Sequence, residues 1–265
     1  MSEAVVVIPV YKSIPSESEE RSFRQCIKVL QQYPIRLVAP KDLDLSFYQR
    51  LHPPLQIEEF EPKYFKSTLT YNHLLLSRHF YRRFDAFKFM LIHQLDAYVF
   101  RDELAVWCQK DYDFIGAPVH QFRLDNFNDI IPIATLNGGF SLRKINSAIR
   151  VLNSFRLIHP LKSILHANIE TSGNIMGTLK GFYFYFFGNN TFEGLNKYDR
   201  NEDYFWAIIS KRLFSWYSVA PVTEALYFSF DNSPEKSFEM ANDKVPFGCH
   251  EFHKHLPFWE KYLSI

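Results

Sequence analysis

The chain opens on an unbroken apolar stretch, residues 4–10, closed by Pro9, Val10 and Tyr11. A run this rich in β-branched residues, without polar alternation, reads as a strand buried on both faces. Residues 16–32 change period: Glu17, Glu19 and Glu20 come first, then Phe23, Cys26, Ile27 and Leu30 at helical spacing. Acids in the first turn with an apolar stripe behind them predict a capped amphipathic helix. Residues 35–39 make a second strand, ended by the turn Pro40-Lys41-Asp42. Strand, helix, strand in that order implies the α/β class and a parallel sheet. Residues 55–60 read as a third strand and 71–84 as a helix. Residues 86–92 read as a central strand running into His93-Gln94-Leu95-Asp96.

Beyond residue 100 the pattern is less regular. Residues 102–109 read as helical, 114–118 as strand-like and 121–132 as a polar loop. A helix at 145–153 follows the segment Asn137-Gly138-Gly139-Phe140-Ser141-Leu142-Arg143. Residues 154–180 carry weak signals and read as a flexible insertion, and the aromatic stretch 182–187 is of strand length. Residues 201–211 read as a helix opening on Glu202 and Asp203, and Pro246-Phe247-Gly248-Cys249-His250 as a loop before an aromatic tail. No repeat, low-complexity tract or linker divides the 265 residues, so one domain over 1–265 is expected.

Composition narrows the partners. The 30 Lys+Arg against 29 Asp+Glu leave a net charge of +1, with no basic field to hold a nucleic-acid backbone. Aromatic residues reach 17%, enough to fill a large core and to line a pocket that stacks on sugars or bases. Cys26, Cys108 and Cys249 lie far apart, which excludes a disulfide framework and a thiolate zinc site and fits reduced thiols in the cytosol. The first residues lack the basic start and long apolar core of a signal peptide, and no stretch approaches a spanning helix. A soluble, cytoplasmic protein is the expectation.

In wound parallel sheets, ligands gather at the carboxyl ends of the strands. That singles out Pro9, Val10, Tyr11 and Lys12 after the first strand, and Gln94 and Asp96 after the central one. Neither a GxGxxG after strand one nor a GxxxxGK[ST] occurs, which disfavours dinucleotide redox chemistry and P-loop phosphoryl transfer. Asp96 is either a ligand for a divalent cation carrying a diphosphate or the cap of a following helix. Asn137-Gly138-Gly139 either lets the backbone approach a ligand with φ > 0 or is a plain tight turn. Glu202 and Asp203 are a source of a catalytic base, kept ionised by the helix dipole, or an ordinary acidic first turn. Lys66, Tyr71 and Asn72 fall at a loop and helix start, and His250 taken alone reads as a satisfied core histidine.

Together Val6-Val7-Ile8-Pro9-Val10-Tyr11, Gln94-Leu95-Asp96-Ala97, Asn137 to Arg143, Asn201-Glu202-Asp203 and Pro246 to His250 resemble a GT-A-type glycosyltransferase. They are most similar to a little-characterised bacterial and eukaryotic branch. The resemblance implies a GT-A-like domain with a Rossmann-like, mostly parallel sheet flanked by helices. A nucleotide-binding half would cover about 1–100 and an acceptor and catalytic half about 101–265. It implies a nucleotide-sugar donor bordered by Pro9, Val10, Tyr11 and Lys12, with Lys66, Tyr71 and Asn72 across from them and Lys66 near phosphate. Asn137, Gly138 and Gly139 would lie against the donor sugar. The family's Asp-x-Asp metal motif is here Gln94-Leu95-Asp96, so Asp96 maps onto the metal acid and His250 onto the late histidine of that site. Gln94 hydrogen-bonds but carries no charge, which puts strict dependence on Mn²⁺ or Mg²⁺ in question.

The activity implied is transfer from a nucleoside diphosphate sugar, UDP-hexose by default, to a hydroxyl of a glycan or lipid-linked glycan, with inversion. Asp203 would be the general base and Glu202 the group that orients the acceptor or a sugar hydroxyl, or the two would exchange these roles. The setting would be surface-polysaccharide assembly, with peripheral membrane contact. A non-catalytic nucleotide- or glycan-binding module on the same scaffold is the alternative. A nucleotidyltransferase is disfavoured, because Tyr11-Lys12-Ser13-Ile14-Pro15 is not a Gly-rich basic loop.

Overall fold

The computed structural model of the chain describes residues 3–52, 55–122, 130–192 and 194–263. β1 (Ala4–Pro9) leads through α1 (Glu17–Leu30) to β2 (Ile35–Pro40), and α2 (Ser46–Leu51) to β3 (Gln56–Phe60). α1 starts on a reciprocal capping box, in which the Ser16 N–H donates to Glu19 Oε2 at 2.7 Å. α3 (Thr68–Leu75) and α4 (Arg78–Arg82) return the chain to β4 (Phe89–His93). β5 (Tyr98–Val99), α5 (Leu104–Gln109), β6 (Phe114–Ile115), β7 (Pro118–Phe122), β8 (Ile130–Thr135), β9 (Phe140–Lys144) and α6 (Ile145–Leu152) follow. α7 (Leu161–Ser172) and α8 (Asn174–Phe187) form a helical hairpin. α9 (Glu202–Tyr204) continues through a π turn, Phe205–Ser210, into α10 (Lys211–Leu213). α11 (Val222–Phe228), β10 (Ser229–Phe230), α12 (Pro234–Met240), β11 (Gly248–Cys249) and α13 (Leu256–Trp259) complete the order.

The main sheet runs β3-β2-β1-β4-β9-β6. β1 pairs in parallel with β2 and β4, and β2 with β3, while β9 runs against both of its neighbours. This is the α/β fold with a mostly parallel sheet flanked by helices. β1 explains its own sequence: Val6 and Ile8 pack with Phe23, Cys26 and Leu30 of α1, while Val5 and Val7 pack with Leu74, Phe80 and Tyr81 on the other face. Burying each such aliphatic side chain contributes roughly 1.5–3 kcal/mol. A second sheet, β10-β11-β5, rests on its own cluster of Tyr98, Phe230, Phe252 and Trp259.

The structure departs from the sequence pattern in places. The helix expected over 71–84 breaks in two, because Ser77 starts a new one by accepting the Phe80 N–H at 3.2 Å. The expected insertion at 154–180 is largely α7 and the start of α8. The aromatic stretch 182–187 is the last part of α8 and not a strand. Gly177 and Gly181, one turn apart, let α8 lie close against α7, and that packing selects a helix. The expected polar loop at 121–132 overlaps β7 and β8, which pair in an antiparallel hairpin; residues 123–129 lie outside the described residues. Asp96 caps no helix, since α5 starts at Leu104, whose N–H donates to Asp102. The three cysteines are buried and free. Among the described residues no helix is long and apolar enough to cross a membrane.

Candidate active site

The second sheet assembles the centre of the site. Phe230 of β10 stands opposite Cys249 of β11, and Cys249 opposite Tyr98 of β5. The residues flanking these strand ends therefore meet: Asp231 after β10, His250 after β11 and Asp96 before β5. The His250 ring is clamped between the two acids, with Nε2 3.2 Å from Asp96 Oδ1 and Nδ1 3.0 Å from Asp231 Oδ1. Gln94 Oε1 lies 3.2 Å from Nε2, and Asn137 Nδ2 lies 3.0 Å from Nδ1. The main sheet delivers Gln94, whose N–H donates to the Gly139 carbonyl at 2.8 Å where β4 ends and β9 begins. Burial would lower the pKa of His250, but its bonds to Asp231 and Asp96 and their charges outweigh burial and hold it up at about 10. Burial would raise Asp96, and the His250 bond and charge bring it below the ordinary aspartate value.

The Asn-Gly-Gly segment works by room more than by backbone freedom. Asn137, not a glycine, takes the left-handed conformation, at φ 60°. Its Oδ1 closes the turn by accepting the N–H groups of Gly139 at 3.0 Å and Phe140 at 3.3 Å. A Cβ on Gly139 would sit 2.2 Å from His250 Nε2, and one on Gly138 2.1 Å from Glu202 Oε1. Gly139→Ala is therefore expected to force the clamped ring aside and cost about 1–3 kcal/mol in urea unfolding. An unchanged midpoint would show that the ring yields freely.

Glu202 is not directed at either cleft. Its carboxylate forms a bidentate pair with Arg143, at 2.7 and 2.8 Å, and the two side chains are 5% and 2% exposed. Arg143 also donates to Tyr81 Oη at 3.1 Å and to Ser141 Oγ at 3.1 Å. Burial pushes Glu202 above the ordinary glutamate value with Arg143 opposing, and the carboxylate in turn holds the guanidinium charged. Asp203, next in the chain, does face open space.

Two clefts flank the His250 clamp. The first, about 450 Å³, is lined by Pro9, Tyr11, Glu19, Phe65, Lys66, Ser67, Thr68, Tyr71, Gln94, Leu95 and Asp96. The second, about 490 Å³, is lined by Asn137, Arg200, Asn201, Asp203, Tyr204, Asp231, Asn232, His250 and Glu251, with Val119 and Leu136. Pro9, Tyr11, Lys66, Tyr71, Gln94 and Asp96, singled out at four separate points of the sequence, thus share one wall. Val10 is wholly buried beneath it, Lys12 pairs with Glu19 at 2.6 Å, and buried Asn72 donates to Asn201 at 3.4 Å, so these three do not line the cleft. Sequence reasoning passed over Asp231, Arg143 as the partner of Glu202, Arg200, and Glu19 as a cleft residue. Asp231 carried no usable signal, because the strand it follows has two residues and no pattern of its own.

The donor atoms suit a divalent cation. Asp96 and Gln94 bring oxygens to the His250 Nε2 nitrogen, which ligates once it gives up its proton, a mixed set that first-row divalent ions accept. Asp231 on the other ring nitrogen is the outer carboxylate that orients a ligating histidine. Asp231, His250 and Glu251 form another candidate trio, their ligand atoms within 4.8 Å of one another.

A family model described as "Protein of unknown function (DUF5672)" matches residues 54–250. No curated protein matches the chain in sequence. Among solved structures it is similar to core-mannan synthase A from Aspergillus fumigatus in its Mn/GDP form, at 9% identity over 70% of either chain, with a TM-score of 0.40. It is also similar to a glycosyltransferase involved in glycosylation of the major capsid of PBCV-1, at 12% identity over 96% of this chain and 98% of that one, TM-score 0.42. A third is the apo-form glycosyltransferase GlyE in Streptococcus pneumoniae TIGR4, at 10% identity over 100% of this chain and 61% of that one, TM-score 0.49. All three are glycan synthases or glycosyltransferases.

Proposed function

We propose that this chain, which belongs to the family described as "Protein of unknown function (DUF5672)", transfers a sugar from a nucleoside diphosphate sugar to an acceptor hydroxyl. One observation carries the reading: two clefts meet across the His250 clamp, one edged by aromatic rings and Lys66, the other holding a carboxylate, Asp203, with no side-chain hydrogen-bond partner among the described residues. In this reading the donor nucleotide fills the first cleft, with Tyr11 and Tyr71 offering ring faces and Lys66 a charge to phosphate. The acceptor enters the second. Residues about 1–100 then form the nucleotide half and about 101–265 the acceptor half.

Asp203 accepts the proton of the acceptor hydroxyl as that oxygen bonds to the anomeric carbon. The bond from that carbon to the diphosphate breaks on the opposite side, its electron pair leaving with the phosphate, so configuration inverts. A divalent ion held by Asp96, His250 and the Gln94 oxygen supplies electrostatic stabilisation of the departing diphosphate when bound. Asn137 and the backbone of Gly138 and Gly139 stand where the clefts join and orient the sugar. Glu202 acts through Arg143, as a positioning residue. We assign a uridine diphosphate hexose as donor and a surface glycan or lipid-linked glycan as acceptor, at the cytoplasmic face.

The test is a thermal-shift screen of nucleotide sugars with and without Mn²⁺. A ligand at about 100 times its dissociation constant adds roughly 2.7 kcal/mol to stability. A UDP-sugar is expected to raise the melting temperature, further with Mn²⁺, and Asp96→Ala to remove the metal increment. Nucleotide release from the stabilising donor is then measured. Binding without release or transfer would leave a nucleotide-binding module, and no stabilisation by any nucleotide sugar would reject the reading.

A further inference from the structure

α7 and α8 pack along each other and on little else among the described residues. The seam is built from small residues: a Cβ on Gly177 would lie 2.4 Å from the Asn168 carbonyl oxygen, and one on Gly181 2.8 Å from Leu165 Cδ2. Most of the rest of α8 faces outward, and most of that face is apolar. At 3.6 residues per turn, Phe182, Ile175, Phe186, Leu179, Tyr183 and Phe184 follow one another round an arc of about 200°. All are exposed, Ile175 at 81% and Tyr183 at 71%. Lys180 is the single charged residue of the helix. Apolar patches of this kind mark interaction or membrane surfaces in proteins.

We infer that the α7–α8 hairpin docks the protein on an anionic lipid bilayer. Four observations select this occupant over a second copy or another protein. The apolar arc is convex and covers more than half of the helix circumference, so a folded partner would need a groove wrapping the helix, whereas lipid conforms to it. The helix has 14 residues, about 21 Å of length, too short for the roughly 30 Å of a bilayer core, so it lies in the interface. Tyr settles at headgroup level, and Phe and Leu are the residues that an interfacial helix buries just below it. The charge has the matching sign: on the hairpin itself Lys162 and Lys180 outnumber Glu170. Lys180 within the arc reaches the headgroups by extending its stem.

The intact protein is mixed with vesicles of phosphatidylcholine alone, or with a third of the lipid replaced by phosphatidylglycerol, and the vesicles are pelleted. Wild type is expected to pellet with the anionic vesicles. Leu179→Asp with Phe186→Asp is expected to lower partition at least about tenfold, with the melting temperature unchanged because both side chains face solvent. Tyr183→Glu is the second variant and should weaken binding in the same direction. Lys180→Glu should weaken binding to the anionic vesicles at least about fivefold and leave the neutral ones unaffected. Wild type that stays in the supernatant with both lipids, or variants that pellet as wild type does, overturn the inference. Light scattering on a sizing column covers the remaining occupant: a wild-type dimer that these substitutions turn into a monomer, without vesicle binding, assigns the face to a second copy. None of these readouts depends on sugar transfer.

Discussion

Asp203→Asn is expected to keep donor affinity within about twofold and to lose at least about 100-fold in turnover, the lower end of what acid–base catalysis contributes. Asp203 lies in the second cleft with Asp231, Asn137 and His250, and its Oδ1 accepts the Tyr204 N–H at 2.6 Å. Its ionisation is set by opposing effects. Burial pushes the carboxyl above the ordinary aspartate value, while the Tyr204 N–H, the Arg143 charge and the Asn137 backbone pull it back without cancelling the rise. The helix start that promised an ionised acid from sequence is thus partly offset by burial. The working form of a base is the anion. Turnover should therefore fall with decreasing pH through a value above the ordinary aspartate range, and that limb should vanish with Asp203→Asn. A near-wild-type rate in the variant, or a product keeping the donor's anomeric configuration, sinks the assignment.

Glu202→Leu is expected to cost about 3–5 kcal/mol in urea unfolding, because it strands the buried Arg143 charge. Glu202→Gln keeps one acceptor oxygen and should cost less. Arg143 has no route to water, being 2% exposed beneath the ring of Phe114, so an unpaired guanidinium there has no cheap relaxation. The double change Arg143→Met with Glu202→Leu should recover much of the loss, since apolar replacements of a buried pair are often close to neutral. Single variants within about 1 kcal/mol of wild type would mean that the pair is solvated in solution. This pairing alters the role that the sequence suggested for Glu202. Both of its oxygens are held by Arg143, so a sugar hydroxyl would have to compete with a guanidinium at 2.7 Å. Adjacent acids at a helix start look equivalent in sequence; one residue of rotation puts Glu202 into the core and Asp203 into the cleft.

Much of the site was legible because its parts are local. The apolar run of β1, the capped α1 and the strand entering Gln94-Leu95-Asp96 are read by period and by end chemistry, which need no distant partner. The rule that ligands gather at carboxyl ends of parallel strands then put Pro9, Tyr11, Gln94 and Asp96 on one side of the sheet. The stretch 182–187 was not legible, since an uninterrupted aromatic run has neither period 2 nor period 3.6. Gly177 and Gly181 against α7 decided it.

The sequence by itself determined the winding of the first half, the order of the chemical segments and the small size required beside the Asn137 turn. It could not determine which charges would be paired. Asp96, Asp231 and His250 converge because three strands of two residues each align in a second sheet, and strands that short carry no pattern of their own. Arg143 meets Glu202 across 59 residues of chain, at a distance that no local rule spans. Tertiary structure decided these because a buried charge is set by whatever partner the packing brings to it.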